Sequence, residues 1–324
     1  MKDKEELIAC LRQAPSVALV SHVSPDGDCI GTMLAVGLAL EKLGKEAIFF
    51  NPDPVPRNLR FLPGAERVKA SLQGLRAPVL LFVDCTDIER TGIDKELIPA
   101  DTLILNLDHH VSNRAFGRWN WVEPGASATG ELAYFLIREL PVKMDQDIAT
   151  NLYTAIVTDT GSFQYSNTTA QTHRLAAELL DAGIDLAHIH HTVFDQKPLA
   201  WVRLLQRALA SLELDAGGQL ALMTLSWKDF QESGADDSIS EGLTNYARTV
   251  EGVEVAALVR EVEDGCIRVS LRSNCWLDVS AVAAQFGGGG HRRAAGCTFV
   301  AALAEAKEAV RRSLKEALVR GRDH

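Results

Sequence analysis

Four short clusters of histidine and carboxylate residues, each at the end of an apolar run, carry the chemistry open to this chain. They are His22-x-x-x-Asp26-x-Asp28, Asp84, Asp108-His109-His110, and Asp159 within Thr158-Asp159-Thr160-Gly161. Imidazole and carboxylate groups share divalent cations, and a carboxylate beside a histidine can orient its second ring nitrogen. Singly, each cluster has an ordinary alternative. Pro25-Asp26-Gly27 suits a solvated turn, which leaves His22 unexplained, and a lone Asp after a strand often caps a helix. Asp-His-His at a strand end can be loop polarity alone. Jointly, the clusters offer His22, Asp26, Asp28, Asp84, His109 and Asp159. Six donors exceed what one ion with an open position needs, so two ions sharing a bridging carboxylate is the economical reading. The donor mix suits manganese, with magnesium, cobalt and zinc as alternatives. Two such ions, about 3.5–4 Å apart, activate water and stabilise the leaving oxygen in phosphoryl displacement.

The elements that must position these clusters follow an α/β pattern. An amphipathic helix over 5–13 precedes a buried strand at Ser16–Val20, which runs into His22. A helix from Cys29 to Leu43 follows, with Gly44 suited to its end. Further strands are predicted at Ala47–Phe50, at Val79–Val83 before Asp84, and at Leu103–Leu107 before Asp108. A Pro-rich loop covers Asn51–Pro56, and helical spacing marks Ala128–Glu139, Asp145–Asp159 and Ala170–Ala182. Strand, polar loop and helix in alternation build a mainly parallel sheet flanked by helices, whose sites collect at the strand carboxyl ends. The four clusters should therefore gather along one edge of that sheet.

Residues 186–212 read as a mixed helical connector. Its His188, His190 and His191 look like a metal cluster but have no acidic partner at matching spacing except Asp185, so a solvated linker is the better reading. Beyond Leu214, strands are predicted at Leu220–Leu225, Val253–Val262 and Ile267–Leu271, with turns at Ala216-Gly217-Gly218 and Asp264-Gly265. Helices near Ile239–Val250, Val279–Gln285 and Ala301–Val319 complete a smaller α/β domain. The expected division is 1–185, a helical linker over 186–213, and 214–324, with no internal repeat.

At 324 residues, two cores are expected, and 47% hydrophobic with 23% charged residues is ordinary for a globular protein. The net charge of −10 argues against a grip on long duplex nucleic acid, which needs a basic face. The tight basic pairs are Arg292-Arg293 and Arg311-Arg312, and a local positive pocket stays open. Cys10, Cys29, Cys85, Cys266, Cys275 and Cys297 form no C-x-x-C pair and read as reduced thiols. The start lacks an apolar signal core and no run is long enough to span a bilayer, so the expectation is a cytoplasmic protein without a membrane partner.

The glycine run Gly287–Gly290 permits positive φ and close backbone approach to a phosphate, and Gly289 and Gly290 are candidate contacts. It is not a Walker loop, since no Lys-Ser/Thr follows, and a flexible hinge is the alternative. His291, with Arg272 and Ser273 upstream, favours a phosphate clamp of cations and hydroxyls. Arg114, four residues after His110, is a further candidate, or a surface arginine.

Taken in order, the four clusters resemble the DHH phosphoesterase superfamily, named for the third of them. Gly287-Gly288-Gly289-Gly290-His291 and Ala294-Ala295-Gly296 are similar to the glycine-rich signature of the DHH-associated C-terminal domain, so the resemblance covers nearly the whole chain. Its size, its domain pairing and the stretch Thr158 to Thr172 most resemble the nanoRNase and pAp-phosphatase branch. The resemblance implies 3′ hydrolysis of very short oligoribonucleotides and removal of the 3′-phosphate from 3′-phosphoadenosine 5′-phosphate (pAp), with a site between the domains. It implies that His22, Asp26 and Asp84 hold one divalent ion and Asp28, Asp84, His109 and Asp159 the other, with Asp84 bridging. His110 would contact the scissile phosphate, Asp108 would support the histidines, and Arg272, Ser273 and His291 would grip the substrate. A homodimer is also a family expectation.

Two departures leave the ligands intact: Cys29-Ile30-Gly31-Thr32 stands where the family often has Ala-Ile-Gly-Ser, and Val111 where it often has Pro. The insertion-like Cys275-Trp276-Leu277 is less usual and could alter the substrate pocket. Three rivals remain. A RecJ-like exonuclease would want a basic, aromatic-lined track. A cyclic-dinucleotide phosphodiesterase commonly carries membrane or sensory segments upstream, whereas this chain begins almost at its first motif. A non-catalytic nucleotide sensor should have lost a ligand, and all six are present.

Overall fold

The computed structural model describes residues 2–72, 77–240, 242–263 and 265–321, so Asp264 of the expected Asp264-Gly265 turn lies outside the described residues. The chain divides into two compact units, Met1–Gln196 and Lys197–His324.

The first unit runs α1 (Lys2–Gln13), β1 (Ser16–Val20), α2 (Gly27–Glu41), β2 (Glu46–Phe50), β3 (Val79–Val83), β4 (Leu103–Asp108) and β5 (Trp119–Val122). Then follow α3 (Thr129–Glu139), α4 (Gln146–Asp159), α5 (Ala170–Asp181) and α6 (Leu186–His190), which passes into one π-helical turn, His191–Asp195. The five strands pair in the order β2-β1-β3-β4-β5, and every pairing is parallel. β3, Val79-Leu80-Leu81-Phe82-Val83, is buried at every position, as a central strand covered on both faces must be. Alternation sends Val17, Leu19, Leu81 and Leu107 to the face packed by the helices, and Ala18, Val20, Leu80 and Phe82 to the other. Loop residues such as Leu72, Ile88, Ile93 and Phe116 cover that second face.

α2 is apolar on nearly all sides because it is enclosed on nearly all sides. Small residues let its neighbours approach. A Cβ on Gly31 would lie 2.4 Å from the Asn151 carbonyl oxygen of α4, and one on Gly27 would lie 2.3 Å from Thr158 Oγ1. The strand order reverses between β1 and β3, and ligands of open α/β sheets sit beyond the strand carboxyl ends at that switch point. His22 follows β1 and Asp84 follows β3, so the topology alone places them side by side.

The second unit runs α7 (Leu199–Ala210), β6 (Glu213–Asp215), β7 (Leu220–Leu225), α8 (Trp227–Ser233), α9 (Leu243–Arg248), β8 (Val255–Glu261), β9 (Ile267–Ser273), α10 (Val279–Ala284), β10 (Gly289–His291), β11 (Ala294–Phe299) and α11 (Leu303–Arg320). Its sheet has the order β10-β11-β9-β8-β7-β6, antiparallel except for β7 beside β8. α10 and α11 pack one face through Val279, Val310 and Leu314, and Trp201, Phe230 and Leu243 pack the other over β7 and β8.

Two expectations are corrected here. Helix does not run unbroken from Leu186 to Leu212: it stops before Pro198, which disfavours helical backbone in the residue before it. The helix expected near Ile239–Val250 is cut to Leu243–Arg248, because Gly242 holds φ 83. Within the glycine run, Gly289 and Gly290 open the edge strand β10, and Gly288 lies just before it. A Cβ on Gly288 would lie 2.1 Å from the Gly296 carbonyl oxygen, and Gly290 holds φ 141 with a Cβ 2.5 Å from the Ala294 carbonyl oxygen. Both positions need glycine so that β10 can lie against β11.

Candidate metal centre

The eight ligand and catalytic candidates of the first unit lie at or just beyond the carboxyl ends of β1, β3, β4 and α4 or at the amino end of α2, and the fold brings them together. His22 Nδ1 donates 2.8 Å to the Val23 carbonyl, which turns Nε2 toward Asp26 Oδ2 at 3.8 Å and Asp84 Oδ2 at 3.4 Å. His109 Nδ1 faces the Ala126 carbonyl at 3.2 Å, and its Nε2 lies 3.8 Å from Asp28 Oδ2, 3.8 Å from Asp84 Oδ1 and 3.5 Å from Asp159 Oδ2. Holding Nδ1 on a backbone carbonyl fixes the tautomer and presents the Nε2 lone pair to a cation. Asp84 therefore gives one oxygen to each histidine.

Local structure explains each placement. Asp26 caps α2, accepting the Cys29 N–H at 3.0 Å. Asp28 caps a different helix. α3 begins after Ala128, which has no capping side chain, and Asp28 accepts the N–H groups of Thr129 (2.7 Å) and Gly130 (2.9 Å) and the Thr32 hydroxyl (3.1 Å). The helix N-terminus thus steadies a buried carboxylate. Asp84 holds φ 57, costly for a non-glycine residue, and is pinned by its N–H to the Leu107 carbonyl at 2.9 Å and by the Thr129 hydroxyl on Oδ1 at 2.8 Å. Asp159 ends α4. Gly161, Ser162 and Phe163 are all left-handed, so the chain doubles back and Asn167 Nδ2 donates to the Asp159 carbonyl at 3.1 Å and the Ser127 carbonyl at 2.8 Å.

Behind this layer, Asp108 is fully buried and accepts the N–H groups of His109 (2.8 Å) and His110 (3.2 Å), His110 Nδ1 at 2.7 Å, and Asn113 Nδ2 at 2.5 Å. Burial opposes charge on the His110 ring, but the hydrogen bond to Asp108 and the charge of Asp84 outweigh it and raise its pKa to about 9. His22 behaves alike: burial works against it, and Asp84 and Asp26 raise it to about 9. Asp84 is held below the usual carboxylate range, since the surrounding imidazoles overcome its burial. Asp28 is pushed well up by burial and by Asp84, Asp159 and Asp26, and burial carries Asp159 to about 7 against the pull of His109.

Carboxylates crowded enough to oppose one another's ionisation are poorly balanced by protein charge alone. With both Nε2 atoms turned inward, the donor set fits divalent cations. Three groups of donors lie within 4.8 Å of one another: His22 with Asp26 and Cys29; Asp84 with His109 and His110; and Asp28 with His109 and Asp159. Cys29, Thr129, Gly130, Asn113 and Asn167 were not read as site residues in the sequence. Thr129, Gly130 and Asn167 reach site residues across long sequence separations or through backbone groups, Cys29 through its backbone N–H, and Asn113 through a side-chain contact to Asp108, none of which spacing reveals.

Elsewhere, Arg114 lies on the exposed loop after β4, its N–H on the Thr86 carbonyl at 2.9 Å. In the second unit, Arg272 pairs with Ala294, which pairs with His291, so Arg272 and His291 flank a small residue on one face of the sheet. Gly289 and Gly290 lie in the exposed edge strand beside them. Ser273 faces the other way, as strand alternation requires, and its buried hydroxyl donates 2.7 Å to the Leu277 carbonyl. The loop Cys275-Trp276-Leu277 wraps the buried carboxylate of Glu254, which accepts all three backbone N–H groups at 2.7–3.2 Å. His188 packs edge-on to Phe61, and His190 Nε2 lies 3.0 Å from the Tyr153 hydroxyl.

Comparison with known proteins adds to this geometry. Residues 16–156 match the DHH family, N-terminal domain, and residues 217–319 match the DHHA1 domain. The bifunctional oligoribonuclease and PAP phosphatase NrnA of Thermus thermophilus is 35% identical over 98% of this chain and 95% of its own. The protein of the same description from Bacillus subtilis is 26% identical over 91% of this chain and 93% of its own. The fold is similar to the crystal structure of an exopolyphosphatase-related protein from Bacteroides fragilis, with a TM-score of 0.92 and 26% identity over 97% of this chain and 96% of that one.

Proposed function

This chain belongs to the DHH family, and on that premise we propose that it hydrolyses the phosphoester bonds of very short oligoribonucleotides from the 3′ end and the 3′-phosphate of pAp. The observation that carries the proposal is Asp84, whose two oxygens face the inward nitrogens of two different histidines. His22, Asp26 and Asp84 would hold one divalent ion, and Asp28, Asp84, His109 and Asp159 the other; manganese suits the oxygen-rich donor set. Ions bound there supply Lewis-acid polarisation of the phosphate and a water nucleophile at neutral pH.

The protein's own residues do the rest. Asp108 holds His110 by Nδ1 and favours its charged form, so Nε2–H would meet a phosphate oxygen or the departing oxygen as a donor. Thr129 and the α3 amides keep Asp84 and Asp28 aimed without reorganisation. Arg272 and His291, set either side of Ala294, suit a terminal phosphate or nucleotide end. End recognition of this kind needs few cations and is compatible with a net charge of −10. All six cysteines are free thiols, and no helix among the described residues is long and apolar enough to cross a membrane. The free thiols accord with a cytoplasmic enzyme.

Side-by-side hydrolysis with manganese of a ribodinucleotide, a long single strand, pAp and cyclic di-AMP tests the reading. Fast turnover of the dinucleotide and pAp with the long strand nearly untouched is expected. Processive digestion of the long strand would replace this reading with a RecJ-like one. Activity that survives Asp84→Ala or His109→Ala would remove the metal centre from the mechanism.

A further inference from the structure

We propose that Glu254 is a positioning residue for the substrate clamp. Its buried carboxylate shapes the loop after β9, and that loop holds the turn that sets His291 beside Arg272. The inference rests on the reading above that Arg272 and His291 take a phosphate or nucleotide end. It adds what fixes their spacing.

The first observation is where the loop's N–H groups go. Glu254 is buried and stands one residue before β8. Cys275, Trp276 and Leu277 donate three consecutive N–H groups to its carboxylate at 2.7–3.2 Å, and Asn274 N–H donates to its backbone carbonyl at 2.8 Å. An N–H taken out of water needs an acceptor, and past the end of β9 the strand ladder no longer supplies one. Glu254 replaces it.

The second observation is what the loop then holds. Its Leu277 carbonyl accepts the Ser273 hydroxyl at 2.7 Å and the Arg293 guanidinium at 3.4 Å, and its Trp276 carbonyl accepts Arg292 at 3.5 Å. Val279 N–H donates to the Arg292 carbonyl at 2.9 Å, and Ser273 N–H to the Arg293 carbonyl at 3.1 Å. Arg292 and Arg293 are the two residues that join β10 to β11. Favoured two-residue hairpin turns need positive φ at the first central residue, and neither arginine has it. The turn is therefore held from outside, by this loop and the end of β9. His291 enters it, Ala294 leaves it, and Ala294 pairs with Arg272. A shift of the loop moves His291 against Arg272 without altering either residue.

The loop also has supports of its own. A Cβ on Gly321, at the end of α11, would lie 2.0 Å from the Trp276 ring, and Leu277 belongs to the core beneath α10 and α11. Changing Glu254 thus leaves that packing in place and removes the acceptor.

The test compares the manganese-loaded native chain with Glu254→Ala on a ribodinucleotide and on pAp. In the variant kcat/KM should fall by up to about 10²-fold, the cost of misplacing a binding group by about 1 Å, with the loss carried by KM. Bound manganese should match the native chain. In an Arg272→Ala background, Glu254→Ala should add no further loss, since both act on one clamp. No loss, a loss in kcat with KM kept, or full additivity with Arg272→Ala overturns the positioning role while the clamp stands. A KM that ignores Arg272→Ala and His291→Ala overturns both.

Hydrogen exchange on the native chain decides independently of any variant. Where an ordered loop favours binding, binding must in turn order the loop. AMP, which pAp becomes when its 3′-phosphate leaves, should slow exchange of the Cys275, Trp276 and Leu277 N–H groups. Exchange there that saturating AMP leaves unchanged overturns the proposal.

Discussion

Asp84 Oδ2 lies 3.4 Å from His22 Nε2 across the switch point of the parallel sheet, and the carboxylate's other oxygen takes the Thr129 hydroxyl at 2.8 Å. The first relation follows from topology, because both residues end adjacent strands. The second ties the same carboxylate to a helix that starts 45 residues later. A carboxylate shared between two sites has to keep both oxygens oriented, and the hydroxyl does this for Oδ1. Thr129→Val keeps the shape and removes only the donor. Its metal affinity, measured by dialysis of manganese, should fall about 10–100-fold, with the fold and circular dichroism unchanged.

Asp108 tests the division between holding metal and handling phosphate. It touches His110 directly and belongs to none of the three donor groups found among the described residues. Asp108→Asn should retain the bound ions and lower kcat by about 10²–10⁴, the range for losing a positioned acid or base. The pH profile separates this from a folding defect. His110 is raised to about 9 partly by Asp108, so losing that charge lowers its pKa and the alkaline limb of activity should move to lower pH.

Much of this site was legible in the sequence because strand ends are. An apolar run that stops at His22, Asp84 or Asp108 announces both the strand and the residue it presents. Asp28 was legible as an acid but not as the cap of α3, because the missing cap at Ala128 and the carboxylate that replaces it are 100 residues apart. β5 escaped notice since Trp119-Asn120-Trp121-Val122 is half-buried throughout and lacks alternation. β10 and β11 were hidden by small residues: Gly288, Gly290 and Gly296 are there for backbone approach and leave no side-chain pattern. His188, His190 and His191 show the converse, a suggestive spacing in which His188 packs on Phe61, His190 packs on Tyr153 and His191 is exposed.

The metal-stripped protein should lose stability as pH rises from 5 to 9. His22 and His110 are raised from 6.5 to about 9, so each contributes fully below 6.5 and loses that contribution as pH passes 9. Asp159, raised to about 7, binds its proton more tightly when folded and acts in the same direction between about 4 and 7, as does Asp28. Asp84 is shifted downward, and its contribution changes only below pH 4. Bound cations displace these protons and remove the effect. Thermal scans should show the unit that carries the site, Met1–Gln196, melting at least about 2–4 °C lower at pH 8.5 than at pH 5.5 in the stripped protein, the shift given by roughly 1 kcal/mol in a unit of that size. With manganese the trend should vanish or reverse. A flat profile without metal would mean the carboxylates do not share the buried charge described.

Gly130 couples helix packing to the site and yields the strictest test of the geometry. A Cβ there would lie 2.6 Å from the Ala155 Cβ and 3.4 Å from Asp28 Oδ1. Neither neighbour is a flexible tip: Ala155 is in the middle of α4 and Asp28 is held by three donors. Gly130→Ala must therefore push α3 away from α4, which costs about 1–3 kcal/mol for an overpacked core. The same movement withdraws the Thr129 and Gly130 N–H groups from Asp28. The variant should lose stability and also bind metal more weakly, with catalysis falling further than Tm predicts. Gly183→Ala is the control, because its φ of 85 penalises alanine but nothing lies within 4 Å of the added Cβ. That variant should lose stability alone. Equal activity losses in the two would show that α3 does not position the carboxylate.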